Sequence, residues 1–171
     1  MENAPSYRYV GPAVLAEHAR PGLGVITVTS AHALARWLAA RPADELSEPF
    51  TFVVSVDGQL RLAPRRSEHV DCAAGQPVLA AGEVLFPRDG AGWSVIEISN
   101  QSAGHCPDPD SWPALARTLD RLGLAHPGGF THKVVFRRCA ACGQLNIVRD
   151  GDFACAVCDS PLPAQPNISP A

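Results

Sequence analysis

The chain has 171 residues, of which 46% are apolar and 18% are charged, and this is the composition of a folded globular protein rather than a disordered one. Its formal charge of −3 argues against a general DNA-binding protein, because sequence-independent binding to DNA needs clustered cations. No stretch reaches the roughly 18 apolar residues of a membrane span, and the N-terminus lacks the pattern of a secretion signal, so we expect a cytoplasmic protein.

The first half of the chain is predicted to form short strands around one helix. Alternating and β-branched runs predict four strands, at 7–10, 24–29, 50–56 and 59–63. Asp57 and Gly58 are typical of the turn that joins the last two strands into a hairpin. Residues 31–41 carry apolar side chains at spacings of three and four, which predicts a helix with Ser30 as its N-cap and Pro42 as its end.

The second half is predicted to contain a hairpin, a helix and a final strand. Its β-prone runs lie at 78–86, 93–99 and 132–137. The first two predict the hairpin, and the helix is expected at 111–122 with Asp108 or Asp110 as its cap. Strands outnumber helices and hairpins imply antiparallel pairing, so we predict an α+β domain over residues 1–133, mainly an antiparallel sheet with two short helices.

Four cysteines near the C-terminus form two Cys-x-x-Cys pairs with twelve residues between them: Cys139 with Cys142, and Cys155 with Cys158. Two residues between cysteines let one tight turn present both sulfurs to an ion, and Gly143 or Asp159 after each pair tolerates the positive φ that such turns need. The intervening residues suit a hairpin that runs out along 145–148 and returns along 153–154. The spacing therefore predicts one structural Zn²⁺ with four thiolate ligands and no open position for catalysis.

This arrangement resembles a zinc ribbon over residues 134–163. Zinc ribbons occur in transcription and translation factors, enzymes and adaptor proteins, so the resemblance implies a contact surface rather than one activity. Since no strong nucleic-acid signal accompanies it, the expected partner is a protein. An iron centre of the rubredoxin type uses the same four ligands, and spacing alone leaves both metals open. The proline-rich residues 164–171 are expected to form a flexible tail.

Two stretches outside the cysteine pairs concentrate chemically able side chains. After a predicted strand come Arg65, Arg66, Glu68, His69 and Asp71, and between a strand and a helix come Asn100, Ser102, His105, Cys106 and Asp108. Strands of the same polarity end at one edge of a sheet, so we expect the two stretches to face each other across one cleft.

An enzyme built on these stretches would have four kinds of group. The general base would be His69 or His105, oriented by Glu68 or Asp71. The nucleophile would be Ser102 or Cys106. The substrate-binding groups would be Arg65, Arg66, Asn100 and Asp108. An arginine clamp beside acid/base groups would suit a phosphate- or nucleotide-containing substrate.

The second stretch resembles a recurrent Asn-x-Ser-Gly-His/Tyr-x-Pro loop of bacterial proteins with poorly defined functions, some of them toxin-like domains. Ala103 and Cys106 depart from its simplest form, so no activity is carried over. A structural interpretation stands beside the catalytic one. In it, Asn100 and Ser102 satisfy backbone groups at a corner, Asp108 or Asp110 caps the helix, and Glu68 forms a surface ion pair with Arg65 or Arg66.

A third interpretation makes a second zinc site from His69, Cys72, His105 and Cys106, although adjacent ligands point apart on an extended chain. A disulfide between Cys72 and Cys106 is disfavoured in the cytoplasm.

Arginine makes up thirteen of the fourteen cationic residues, as in proteins from GC-rich bacterial genomes. The sequence thus favours a bacterial, cytoplasmic, zinc-binding protein that acts as a binding or adaptor module, with a small loop-site enzyme as the alternative.

Overall fold

The computed structural model describes residues 4–22, 24–87 and 93–168. Its helices are α1 Ala13–Glu17, α2 Ala31–Ala39, α3 Ala43–Leu46, α4 His69–Cys72 and α5 Trp112–Arg121, the last preceded by a 3₁₀ helix at Pro109–Ser111. Its strands are β1 Ile26–Val28, β2 Phe50–Ser55, β3 Leu60–Ala63, β4 Val78–Leu85, β5 Glu97–Ile98, β6 Val135–Arg138 and β7 Leu145–Val148. None of the described helices has the length and apolarity needed to cross a membrane.

The strands form a five-stranded sheet in the order β1-β3-β2-β4-β5 and a separate two-stranded sheet of β6 and β7. All neighbouring strands pair antiparallel. The predicted α+β class and both predicted hairpins are confirmed, although the turn of the second hairpin includes residues 88–92, outside the described residues. The cap of α2 is also as predicted, because the Ser30 hydroxyl accepts a hydrogen bond from the Ala33 amide at 3.0 Å.

Apolar side chains cover the large sheet on both faces. On one face, alternate residues of β2 pack with Leu34 of α2 and Leu115 of α5. On the other face, Val53 packs with Tyr7 and with Cys72 of α4. Strand β2 is therefore buried on both sides, which explains its continuous apolar sequence.

Some local predictions differ from the structure. The predicted strand at 7–10 is reduced to a single bridge between Tyr7 and Val78. The predicted loop at 65–72 contains α4, a single helical turn without a side-chain cap. Strand β7 pairs along its length with β6 rather than with residues 153–154, because the turn after it closes at once with a bridge between Arg149 and Asp152.

Two asparagine side chains hold β6 against the rest of the chain. Asn100 accepts a hydrogen bond from the Val134 amide and donates one to the Val134 carbonyl, both at 2.7 Å. Asn167 does the same for Arg138, at 2.9 and 2.7 Å. Ile168 is buried as well, so the described part of the tail, which the sequence predicted to be flexible, packs against residues 134–163. We call residues 134–163 the cysteine module.

Candidate functional site

The two cysteine pairs of the module lie on turns with the same backbone geometry. In the first turn the Gly143 amide donates to the Cys139 carbonyl at 2.9 Å, and in the second the Asp159 amide donates to the Cys155 carbonyl at 2.9 Å. Gly143 has φ +77° and Asp159 has φ +63°, so both residues adopt the positive φ that the sequence predicted. Each turn therefore directs two sulfurs to the same side.

The four cysteine sulfurs converge on one point. Cys139, Cys142, Cys155 and Cys158 have their Sγ atoms within 4.8 Å of one another. The Sγ atoms of Cys139 and Cys158 are 3.5 Å apart, and those of Cys142 and Cys155 are 3.7 Å apart. Four sulfurs at about 2.3 Å from a tetrahedral ion would lie about 3.8 Å apart, so this donor set fits a single tetrahedral metal ion. Among the described residues, no other group of histidine, cysteine or acidic side chains has this compactness.

Hydrogen-bond donors around the sulfurs favour the thiolate form. The backbone amides of Cys158 and Val157, together with the Asn146 side chain, lower the pKa of Cys155 to about 6. Two effects oppose each other at Cys142. The Gln144 amide favours its thiolate, but hydrogen bonds from its thiol to the other sulfurs favour the protonated form, and the net result is a pKa raised to about 12. A cation held by all four sulfurs requires them as thiolates, so metal binding would release protons from the cluster.

An apolar side chain packs against the sulfurs on one side, because Leu162 forms a cluster with Cys139 and Cys155. Phe153 lies under the guanidinium of Arg137, with 5.8 Å between the guanidinium carbon and the ring centroid. The most exposed large apolar residue of the module is Val157, which is 67% exposed on the second cysteine turn.

Outside the module, the two polar stretches meet at a cleft of about 360 Å³. Its polar lining consists of Tyr9, Glu68, His69, Glu83 and Gln101. Residues from both stretches line this one cleft, as the sequence predicted, while the catalytic roles of their side chains stay predictions. The topological reason differs from the predicted one, because β3 and β5 run in opposite directions. The stretches meet because the chain after β5 crosses β4, with Ser99 lying directly over Gly82.

His69 has a defined hydrogen-bonding state in this cleft. Its Nε2 lies 2.8 Å from the carbonyl oxygen of Gly82, and a carbonyl accepts only, so Nε2 carries the proton. Burial lowers the pKa of His69, while the Gly82 carbonyl, Glu83 and Glu68 oppose this effect. In the neutral ring Nδ1 then offers a lone pair, and it has no hydrogen-bond partner among the described residues.

His105 lies behind the cleft and is only 1% exposed. Its ring makes an edge contact with the ring of Tyr9, with 5.6 Å between centroids. Neither ring nitrogen meets hydrogen-bond geometry with a described residue, although the Gln76 carbonyl lies nearby. Burial and the neighbouring His69 lower the pKa of His105 to about 4, so the ring is neutral at pH 7.

Most of the other predicted site residues are committed to the fold or lie away from the cleft. Arg65 pairs with Glu48 at 3.0 Å, and Arg66 is exposed and does not line the cleft. Asn100 is fully buried, and its amide serves the backbone of Pro107 and Val134.

Ser102 and Asp108 also serve the fold. Ser102 is buried, and its hydroxyl accepts a hydrogen bond from the His105 amide at 3.4 Å. One carboxylate oxygen of Asp108 accepts from the Asp110 amide at the start of the 3₁₀ helix, as a cap, and the other lies 3.5 Å from the Arg137 guanidinium. These contacts follow the structural interpretation of the second stretch.

The two remaining cysteines lie in different apolar clusters. Cys72 packs with Val53 under the large sheet, and Cys106 packs with Phe136 next to the cysteine module. Burial raises the pKa of both thiols, to about 12 for Cys72 and about 11 for Cys106. Both thiols are free, and neither belongs to a compact group of metal ligands in the described part of the chain.

Sequence reasoning missed three residues of the cleft, namely Tyr9, Glu83 and Gln101. Tyr9 comes from a segment without regular structure, so no periodic pattern marks it. Glu83 was available as a signal, because it is the one charged residue in an otherwise apolar or small β4 sequence.

Comparisons with known proteins add nothing to this geometry: no family model matches the chain, and no curated protein and no solved structure shows significant similarity to it.

Proposed function

We propose that this protein is a zinc protein in which a structural four-cysteine site supports a C-terminal module for binding another protein. The observation that carries the proposal is the convergence of four sulfurs within 4.8 Å on two equivalent turns. Such a set fills all four positions of a tetrahedral ion with protein ligands, so the metal would have no open position for substrate or water. Bound there, Zn²⁺ would act as a cross-link between the two turns.

The module also has a surface suited to contact with a partner. Val157 is exposed on the second cysteine turn, and Ile147 is 43% exposed on β7. The ring of Phe153 is 36% exposed. Exposed apolar and aromatic residues are typical of protein–protein contact sites rather than of surfaces that bind a nucleic-acid backbone. This composition supports a protein partner.

The alternative of an enzyme acting on a phosphate-containing substrate receives less support. Such a substrate needs cations in the cleft, and the charged residues that line it are Glu68 and Glu83. Arg65, the predicted anion clamp, is paired with Glu48.

The metal is tested by elemental analysis of the purified protein. We expect one zinc per chain, and we expect Cys142→Ser to lose it and to unfold the cysteine module, because three thiolates hold the ion much less tightly. Cys106→Ser is the matched control, since it removes a thiol outside the cluster and should keep one zinc per chain. One iron per chain, with the visible absorption of an iron–thiolate centre, would contradict the zinc assignment.

The binding role is tested with Val157→Asp, which places a charge on the exposed turn without touching a sulfur. A protein captured by the wild type should bind at least tenfold more weakly to this variant when both components are purified, because a desolvated carboxylate opposes an apolar contact. Asp152→Asn, a charge change elsewhere in the module, should bind as the wild type does. Equal affinity of Val157→Asp and wild type would exclude this surface.

A further inference from the structure

The cleft between the two polar stretches has an acidic lining that the proposed metal site does not explain. Glu68 and Glu83 line it, and none of its described lining residues is a lysine or arginine. Both carboxylates line the same cleft as the His69 ring. A negatively lined concavity favours a positively charged ligand.

The hydrogen-bonding state of His69 points to the same kind of ligand. Its Nε2 proton is already donated to the Gly82 carbonyl, so only the lone pair of Nδ1 is left for a ligand. Two carboxylates and this nitrogen are all acceptors, and the Gln101 side chain offers a further oxygen. A guanidinium group has five N–H donors in one plane and therefore matches several of these acceptors at once.

A second cleft of about 390 Å³ adjoins the first and extends the acidic lining. Glu83 and Gln101 belong to both clefts, and the second adds Glu97 of β5 and His132. Again none of its described lining residues is a lysine or arginine. Three glutamates thus border two neighbouring clefts, with Glu83 on the wall between them. Two adjoining clefts suit two side chains of one extended segment, whose alternate residues point the same way about 6.6 Å apart.

Pro12 also lines the first cleft, and it directly precedes α1, where Val14 and Leu15 are 56% and 44% exposed. We propose that the two clefts bind an extended basic segment of a partner protein, with an arginine side chain held between Glu68, Glu83 and Nδ1 of His69.

This inference goes beyond the proposed function, and it does not depend on the metal, because no residue of the cysteine module lines either cleft. It replaces the anionic ligand predicted from Arg65 and Arg66 with a cationic one. The charge complementarity of three glutamates and a basic segment is the argument for the occupant.

The test is fluorescence anisotropy of the metal-loaded protein with a labelled nonapeptide in which arginine alternates with alanine. The reference peptide has citrulline in place of each arginine, which keeps the shape and removes the charge. We expect the arginine peptide to bind at least about tenfold more tightly than the citrulline peptide. Equal binding of the two peptides would overturn the proposal.

Variants then locate the contact. Glu83→Gln should weaken binding of the arginine peptide about tenfold, because Glu83 borders both clefts, and Glu68→Gln should weaken it several-fold. Asp152→Asn removes the same charge from the cysteine module and should leave affinity within about twofold. An equal loss in Asp152→Asn and Glu83→Gln would mean attraction to net charge alone and would overturn the proposal. Circular dichroism shows whether each variant is folded. If Glu83→Gln is unfolded, the affinity of Glu68→Gln for the arginine peptide tests the proposal, because Glu68 is exposed and its substitution should not disturb the fold.

A competition experiment shows whether the natural ligand is a peptide segment or a small cation. Free arginine amide carries the same guanidinium but fills only one cleft. We expect it to displace the labelled peptide only at concentrations at least about a hundredfold above those of the unlabelled peptide. Displacement at equal concentrations would assign the cleft to a small cationic molecule and overturn the segment as occupant.

Discussion

His105 is a buried histidine whose ring nitrogens form no hydrogen bond with the described residues. The ring is buried against Tyr9. Burial also lowers the pKa of the neighbouring His69. The folded protein therefore holds two neutral imidazoles side by side, and protonation of either would bury a charge next to the other ring.

This arrangement predicts a loss of stability in acid. In the unfolded chain a histidine has a pKa of about 6.5, whereas the pKa of His105 in the folded protein is about 4. Between these values the unfolded state binds the extra proton, so the stabilising contribution is present above pH 6.5 and is lost as the pH falls towards 4. The loss would be about 3 kcal/mol at most.

Urea unfolding at a series of pH values measures this effect. His105→Phe keeps an aromatic ring against Tyr9 and removes the titrating group, so its free energy of unfolding should fall less steeply between pH 6.5 and 4. Residual slope is expected from His69. Because thiolates also take up protons in acid, metal content is measured at each pH. Identical slopes for wild type and His105→Phe would contradict the argument.

At the residue scale the sequence indicated which side chains are unusual but not what each one contacts. The four metal ligands were predictable because their spacing is local and the turn chemistry is specific. Asn100 was recognised as a candidate, but its partner Val134 lies 34 residues further along the chain. Glu48, which pairs with Arg65, is also not a near neighbour of it in the sequence. Partners of this kind depend on the tertiary fold, so the sign of the cleft's charge was predicted wrongly.

At the element scale, the crossing of β4 by the chain after β5 depends on one glycine. A Cβ atom on Gly82 would lie 1.9 Å from the Ser99 carbonyl oxygen and 2.8 Å from its carbon. Both are backbone atoms, so no side-chain rotation could relieve the overlap. The same crossing brings the second polar stretch over His69, whose Nε2 is bonded to the Gly82 carbonyl.

Gly82→Ala should therefore be strongly destabilising. We expect a loss of about 3 kcal/mol, because β4 and the chain after β5 must separate to admit the methyl group. In a domain of this size that loss lowers the thermal midpoint by roughly 10 °C. Gly128→Ala is the matched control, since a Cβ there meets nothing within 4 Å, and it should change the midpoint by less than about 3 °C. A Gly82→Ala protein as stable as the control would show that the crossing is loosely packed.

The elements themselves were predictable in proportion to their length. Helix α2 and strands β2 to β4 carry periodic patterns over several residues and were predicted close to their observed bounds. Helix α4 has four residues, too few for a helical period to be visible. Strand β7 was predicted correctly, but its pairing with β6 was not. An apolar pattern indicates that a segment is a strand, but it does not indicate which other strand pairs with it.

On the scale of the whole molecule, the large sheet and the cysteine module have separate cores. The two clusters that cover the sheet include no residue of the module. The module has its own cluster around the cysteines, and a small cluster containing Cys106, Phe136 and Ile168 joins it to the rest. Loss of metal in Cys142→Ser should for this reason unfold the module and leave the large sheet folded.

The hydrogen bonds of Asn100 and Asn167 to β6 have a consequence for self-association. Val134, Phe136 and Arg138 direct their backbone groups away from β7, towards what would be the open edge of a two-stranded sheet. The Asn100 side chain bonds both the amide and the carbonyl of Val134, and the Asn167 side chain does the same for Arg138. Between them, the Arg137 guanidinium donates to the Phe136 carbonyl. An exposed strand edge is a template for pairing with another chain, and here side chains occupy it instead of a further strand. The module is thereby protected from edge-to-edge aggregation along β6, and a partner must approach it through its side chains.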